Sequence, residues 1–194
     1  MNLSEISQRL TDSLTADLGY EQEKKEIIAY GIETFVLSIL GFLAILGISY
    51  LLDSVFPAII ATIFGGFLRK LSGGAHFSTP IKCLTFGAVV YSLIGVGAKE
   101  IVNHGFTNLG VLVAVLLISL VIVYLYAPVD SEAKPIHSET FRKKLKIASL
   151  TFVLITLIIV LLSSNLLINT SAALGIGYQS LTLLPVFNKG RKEE

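Results

Sequence analysis

Cysteine is nearly absent from this 194-residue chain, which has Cys83 and no other. A single thiol excludes an intrachain disulfide and any multi-cysteine metal site. Charge is scarce too. Asp, Glu, Lys and Arg make up 15% of the residues, where a soluble globular domain carries about 25%. Hydrophobic residues reach 53% and the mean hydropathy is +0.76. So few charges cannot cover a core in water, and the expected class is an all-α polytopic membrane protein. Acidic residues do not cluster as a metal site requires, and no Walker A spacing occurs. The net charge of +1 gives no sign of a nucleic-acid partner. No metal, cofactor or nucleic acid is therefore expected. The first 26 residues lack a short basic stretch followed by a cleavable apolar core, so the first membrane helix is expected to direct insertion itself.

What the chain does have is long apolar runs. Leu3, Ile6, Leu10, Leu14 and Leu18 recur at one face of a helix, with Asn2 or Ser4 as its cap and Gly19 as its end. This amphipathic helix and a charged lead-in form a cytoplasmic or interfacial N-terminal segment, 1–26. It either lies along the bilayer surface or packs on the cytoplasmic side of the body. Residues 27–187 read as about six transmembrane helices, placed near 27–52, 55–68, 83–98, 106–127, 147–168 and 171–187. The second run has only fourteen residues, roughly 21 Å as a helix, so it is a short span or part of a re-entrant element. A basic loop at 128–146 and a tail at 188–194 complete the plan. Gly65, Gly66, Gly95, Gly97, Ser171 and Gly175 are the expected helix-packing positions.

Orientation follows from the basic residues. With both termini cytoplasmic, every Lys and Arg except Lys99 falls in a cytoplasmic segment. Cytoplasmic loops are the ones enriched in these residues, so the alternation supports six crossings. It also places residues 69–83 at the cytoplasmic face.

That stretch, RKLSGGAHFSTPIKC, is a polar island between apolar segments. Cys83 follows Lys82, lies near Arg69 and Lys70 in sequence, and begins a helix after Pro80. Positive charge and a helix N-terminus both favour the nucleophilic thiolate, although a free cysteine is more often a small buried hydrophobe. His76 precedes it by seven residues, roughly 10 Å along a continuous helix and too far for proton transfer. Gly73, Gly74 and Pro80 argue against a continuous helix, and a folded-back loop would let the two side chains meet. The two glycines either permit a turn or offer backbone N–H groups to an oxyanion. Arg69 either anchors at headgroups or holds a carboxylate. Glu33 lies inside the first apolar run, where an ionisable residue is a functional candidate by default. It can pair with Arg69, orient His76 as a third group, or simply reach the headgroups.

The spacing R-x4-G-x-H-x6-C, formed by Arg69, Gly74, His76 and Cys83 between hydrophobic spans, resembles the signature of the AgrB family of membrane cysteine endopeptidases. Ala127-Pro128, Lys134-Pro135-Ile136 and the basic run at 142–146 are similar to that family's cytoplasmic loop. The resemblance implies a multi-pass protein of the bacterial cytoplasmic membrane with its active site at the cytoplasmic face. It implies that a short AgrD-like precursor of a quorum-sensing peptide is cut there, and cyclised through a thioester acyl-enzyme. Cys83 would be the nucleophile and His76 the general base and acid, with Arg69 and Gly74 supporting and Glu33 as candidate third group. The lipid bilayer is the other partner, and a homodimer is left open. The alternative is a non-enzymatic small membrane transporter or scaffold. A transporter places polar residues at the midplane of several helices, and beyond Glu33 the spans offer little except Ser, Thr, Asn165 and Gln179.

Overall fold

The computed structural model describes residues 3–16, 18–75, 79–129 and 138–188. Its regular elements are helices: α1 (Leu3–Thr15), α2 (Gln22–Leu51), α3 (Val55–Ser72), α4 (Pro80–Asn103), α5 (Leu109–Tyr126), α6 (Glu139–Leu162) and α7 (Leu166–Leu181). A 3-10 turn at Pro185–Asn188 ends the described chain. No strand occurs among the described residues.

Five helices, α2 to α6, are long and apolar enough to cross a membrane. The second run, read as fourteen residues, is an eighteen-residue helix and belongs to this set. At sixteen residues α7 is shorter than these five, roughly 24 Å, yet it is the most enclosed helix. Ala172, Ala173, Gly175, Ile176, Gln179 and Ser180 are all buried on it.

Two sequence boundaries need correction. Residues 142–146 are not loop but the first turns of α6, because Ser138 Oγ accepts from Phe141 N–H and caps that helix at Glu139. Lys and Arg are good helix formers, and Lys146 places its ammonium over the Tyr124 ring. The break between the last two helices falls at 163–165 rather than near 169–170. Asn165 Oδ1 accepts from Leu167 and Ile168 N–H and starts α7 there. Asn169, inside α7, donates to the Val160 and Ser163 carbonyls that α6 leaves open.

Small residues set the packing. A Cβ on Gly65 would lie 2.6 Å from both the Gly175 carbonyl and the Tyr91 hydroxyl, and one on Gly95 2.7 Å from Ala58. A Cβ on Gly175 would lie 2.5 Å from the Ala61 carbonyl. Backbones thus touch where α3 crosses α4 and α7, the packing expected where lipid supplies no hydrophobic drive between helices. Gly66 and Gly97 make no such approach. One apolar cluster (Leu68, Leu116, Val153, Ile176, Leu183) joins α3, α5, α6 and α7. A second (Ile45, Ala58, Ala61, Ala88, Tyr91) joins α2, α3 and α4. Phe35, Leu43, Ile118 and Ile155 point outward.

The N-terminal helix turns its apolar stripe away from the body. Ile6, Leu10, Leu14 and Leu18 are exposed, while Ser7, Thr11 and Thr15 are buried where α1 packs on α2. The hydroxyls of Thr11 and Thr15 donate to carbonyls one turn back, so burying them leaves no hydrogen bond unmade. Lys25 and Asp12, 3.6 Å apart, pin the pair. The helix ends at Thr15, before Gly19.

Candidate functional site at the α3–α4 turn

The island is the junction of α3 and α4. Leu68 is fully buried and fixes the last turns of α3, which places the neighbouring Arg69 at the helix end. Gly73 terminates α3 with φ +68° and its N–H on the Arg69 carbonyl. Gly74 follows at φ +142°. Only glycine enters these regions without strain. Thr79 then caps α4, accepting from Lys82 N–H, and Pro80 occupies its first turn, where a missing N–H costs nothing. Cys83 therefore stands in the opening turn of α4, with its own N–H on the Thr79 carbonyl.

Arg69 bridges the turn. Its Nη2 donates to the Ala75 carbonyl at 2.6 Å and to Cys83 Sγ at 3.5 Å. Both Arg69 and Cys83 are partly buried. The arginine makes no ion pair with a carboxylate among the described residues; it holds the sulfur.

Two other helix ends grip the same turn. At the exit of α5, Val129 N–H donates to the Ser72 carbonyl at 2.9 Å, and Val129 pairs with Gly73 in an isolated bridge. At the end of α7, Gln179 Nε2 donates to the Gly73 carbonyl at 2.8 Å, and the Thr182 carbonyl accepts from Ala75 N–H at 3.1 Å. The N–H groups of Gly73 and Ala75 are therefore committed and are not oxyanion donors. Gly74 is also a steric requirement, since a Cβ there would lie 2.6 Å from Thr182 Oγ1.

Of the residues singled out in the sequence, Arg69, Gly74 and Cys83 come together. Glu33 does not join them and makes no ion pair with Arg69 among the described residues. The helix register explains this. Gly41 of α2 faces Leu84 at the start of α4, and Glu33 lies eight residues further back, about 12 Å along the axis. His76 and the segment Lys134-Pro135-Ile136 lie outside the described residues. Gln179, Thr182, Val129 and Tyr178 went unread as site residues. Tyr178 stacks edge-on with Tyr91, ring centroids 5.6 Å apart, and lies within electrostatic range of both Arg69 and Cys83.

A bundle of apolar helices with a cation-held thiol beside a glycine turn defines a multi-pass membrane protein with one chemically equipped end. The Accessory gene regulator B (AgrB) family matches residues 7–183, and the chain belongs to that family. It is accordingly a quorum-sensing-related membrane protein. An AgrB-like protein of Clostridium perfringens strain SM101 is 30% identical, covering 96% of this chain and 93% of the relative. A second, from C. perfringens strain 13, is 28% identical over the same shares. One from Listeria innocua is 24% identical over 95% of this chain and 89% of its own length. No solved structure matches the chain.

Proposed function

We propose that this protein is a membrane-embedded cysteine endopeptidase that cuts an AgrD-like precursor of a quorum-sensing peptide, with Cys83 as nucleophile and His76 as general base and acid. The observation that carries the reading is the Arg69–Cys83 hydrogen bond across the turn. It gives the chain's sole thiol a fixed direction and an adjacent cation, the surroundings of reactive rather than buried structural cysteines. Family membership and the R-x4-G-x-H-x6-C spacing support the assignment of His76.

The chemistry proceeds in two displacements. His76 takes the thiol proton and the Cys83 sulfur attacks the scissile carbonyl. His76 returns the proton to the leaving amine, the C–N bond breaks, and the C-terminal fragment departs, leaving a thioester on Cys83. A cysteine thiol within the precursor then attacks that thioester. The peptide closes as a thiolactone and the Cys83 sulfur takes back a proton. One thioester replaces another at little cost in bond energy, and a site that excludes water favours closure over hydrolysis. The basic residues at the two ends of the island, Arg69, Lys70 and Lys82, support a cytoplasmic-face site. Those early in α6 suit an acidic peptide tail.

The test is co-expression with candidate small peptides from the genomic neighbourhood, with cleavage and acyl-enzyme followed by mass spectrometry. Wild type processes the peptide, while Cys83→Ser and His76→Ala do not. Unchanged processing by Cys83→Ala would overturn the proposal and leave a non-enzymatic membrane protein as the reading.

A further inference from the structure

We propose that Gln179 of α7 is a positioning residue for the Cys83 site, acting through the backbone of residues 73–75. The inference rests on the peptidase reading above and extends it to a residue of the last helix, far from Cys83 in sequence.

The chain of contacts is short. Gln179 Nε2 donates to the Gly73 carbonyl at 2.8 Å and reaches Ser72 Oγ at 3.4 Å. One residue past α7, the Thr182 carbonyl accepts from Ala75 N–H. The turn is therefore clamped at both ends by one helix terminus. Its last carbonyl, that of Ala75, is where Arg69 Nη2 anchors before reaching Cys83 Sγ. The direction of the guanidinium depends on where Ala75 stands, and Ala75 stands where α7 holds it.

A purely structural role for Gln179 fits poorly. The side chain is fully buried, and its Oε1 has no hydrogen-bond partner among the described residues. Leaving an acceptor unsatisfied is costly in an apolar setting, and a Leu or Met would fill the same space without that cost. Helix contact itself is already supplied one turn earlier, where Gly175 meets Ala61 and Gly65. What the amide adds is a donor aimed at the Gly73 carbonyl in the candidate site. Gly73 and Gly74 both sit at positive φ and have no side chains of their own to hold the turn in place.

The test uses the full-length protein in membranes with a peptide that wild type processes. Gln179→Met keeps volume and helix propensity but removes the donor. Processing falls about tenfold or more, while the thermal unfolding of the detergent-solubilised protein stays at the wild-type temperature. Gln179→Glu carries a donor only when its carboxyl is protonated, which burial favours. Its processing relative to wild type therefore rises as the pH is lowered from about 8 to about 6, whereas that of Gln179→Met stays flat. Ser180→Ala, which removes a buried hydroxyl bonded within α7, controls for general loosening and leaves processing unchanged. A second readout needs no substrate. Maleimide labelling of Cys83 slows about threefold or more in Gln179→Met, because the sulfur loses its fixed cation. Wild-type labelling and processing in Gln179→Met would overturn the positioning role and leave the peptidase reading intact. Slowed labelling in a chain whose wild type cleaves no peptide would overturn the peptidase reading alone. Parallel flat pH ratios for Gln179→Met and Gln179→Glu would also overturn the positioning role.

Discussion

Each end of the α3–α4 hairpin holds one cation against a neighbouring segment, and the two are used differently. At the α2–α3 turn Lys99 Nζ donates to Asp53 Oδ2 at 2.5 Å and to the Asp53 carbonyl at 2.7 Å. The Asp53 side chain is 96% exposed, so this is a surface pair of small worth. The hydrogen bond from Lys99, and then its charge, hold the Asp53 carboxyl below its ordinary range. At the other end Arg69 is partly buried and has a carbonyl and a sulfur as its partners. Lys99 is neutralised by its own carboxylate. Arg69 has no carboxylate partner among the described residues and lies against the chain's one thiol, and that is the physical difference between the two ends.

The comparison breaks most sharply at Cys83. Cys83→Ser is expected to lower precursor processing by at least about ten-thousandfold, the scale of losing a nucleophile, measured as cleaved peptide per enzyme. Arg69→Met comes next, with a loss of about a hundredfold. Arg69→Lys recovers only part of it, because an ammonium cannot copy the planar fork that spans two acceptors. Gly74→Ala should impair processing to a similar degree. Its Cβ meets Thr182 Oγ1 and its φ is one that alanine resists, and the paired Gly74→Ala/Thr182→Ala protein, which removes that oxygen, is not rescued because the backbone strain remains.

The smallest effect belongs to the far end. Asp53→Asn should leave processing within about twofold of wild type and lower the unfolding temperature slightly at about pH 7. The folded carboxyl is depressed, so its stabilising contribution is present above the ordinary carboxylate range and is lost as the pH falls through the folded value. The stability difference between wild type and Asp53→Asn should therefore shrink as the pH falls below the ordinary carboxylate range, read from thermal unfolding across pH.

How much of this was legible in the sequence depends on which side of a helix is asked about. Apolar runs located α2, α4 and α5, and the island announced itself as a polar break at 69–83. Hydropathy identifies a span but not its inner face, because lipid takes the large apolar groups. Here the contacts fall to Gly65, Gly95, Gly175 and the hydroxyls of Ser92 and Ser149. The same inversion turned α1 over, burying Ser7, Thr11 and Thr15 instead of the Leu stripe. The α6 start was obscured because its first turns are basic, and a charge run reads as loop until Ser138 is recognised as a cap. Gln179 and Thr182 were invisible as site residues. Their contacts span more than a hundred positions, and nothing local in α7 points to Gly73. Glu33 stood out for the opposite reason. An acid in a span attracts attention, yet helix register and not residue type decides what it can reach.

The solitary thiol has a consequence for oxidation. Peroxide converts a reactive cysteine to a sulfenic acid, which many redox-regulated proteins trap as a disulfide with a resolving cysteine before it advances to irreversible acids. These 194 residues contain no second cysteine, so an oxidised Cys83 has no internal rescue. Repair by thiol exchange, like the turnover proposed above, then requires a thiol delivered from outside the chain.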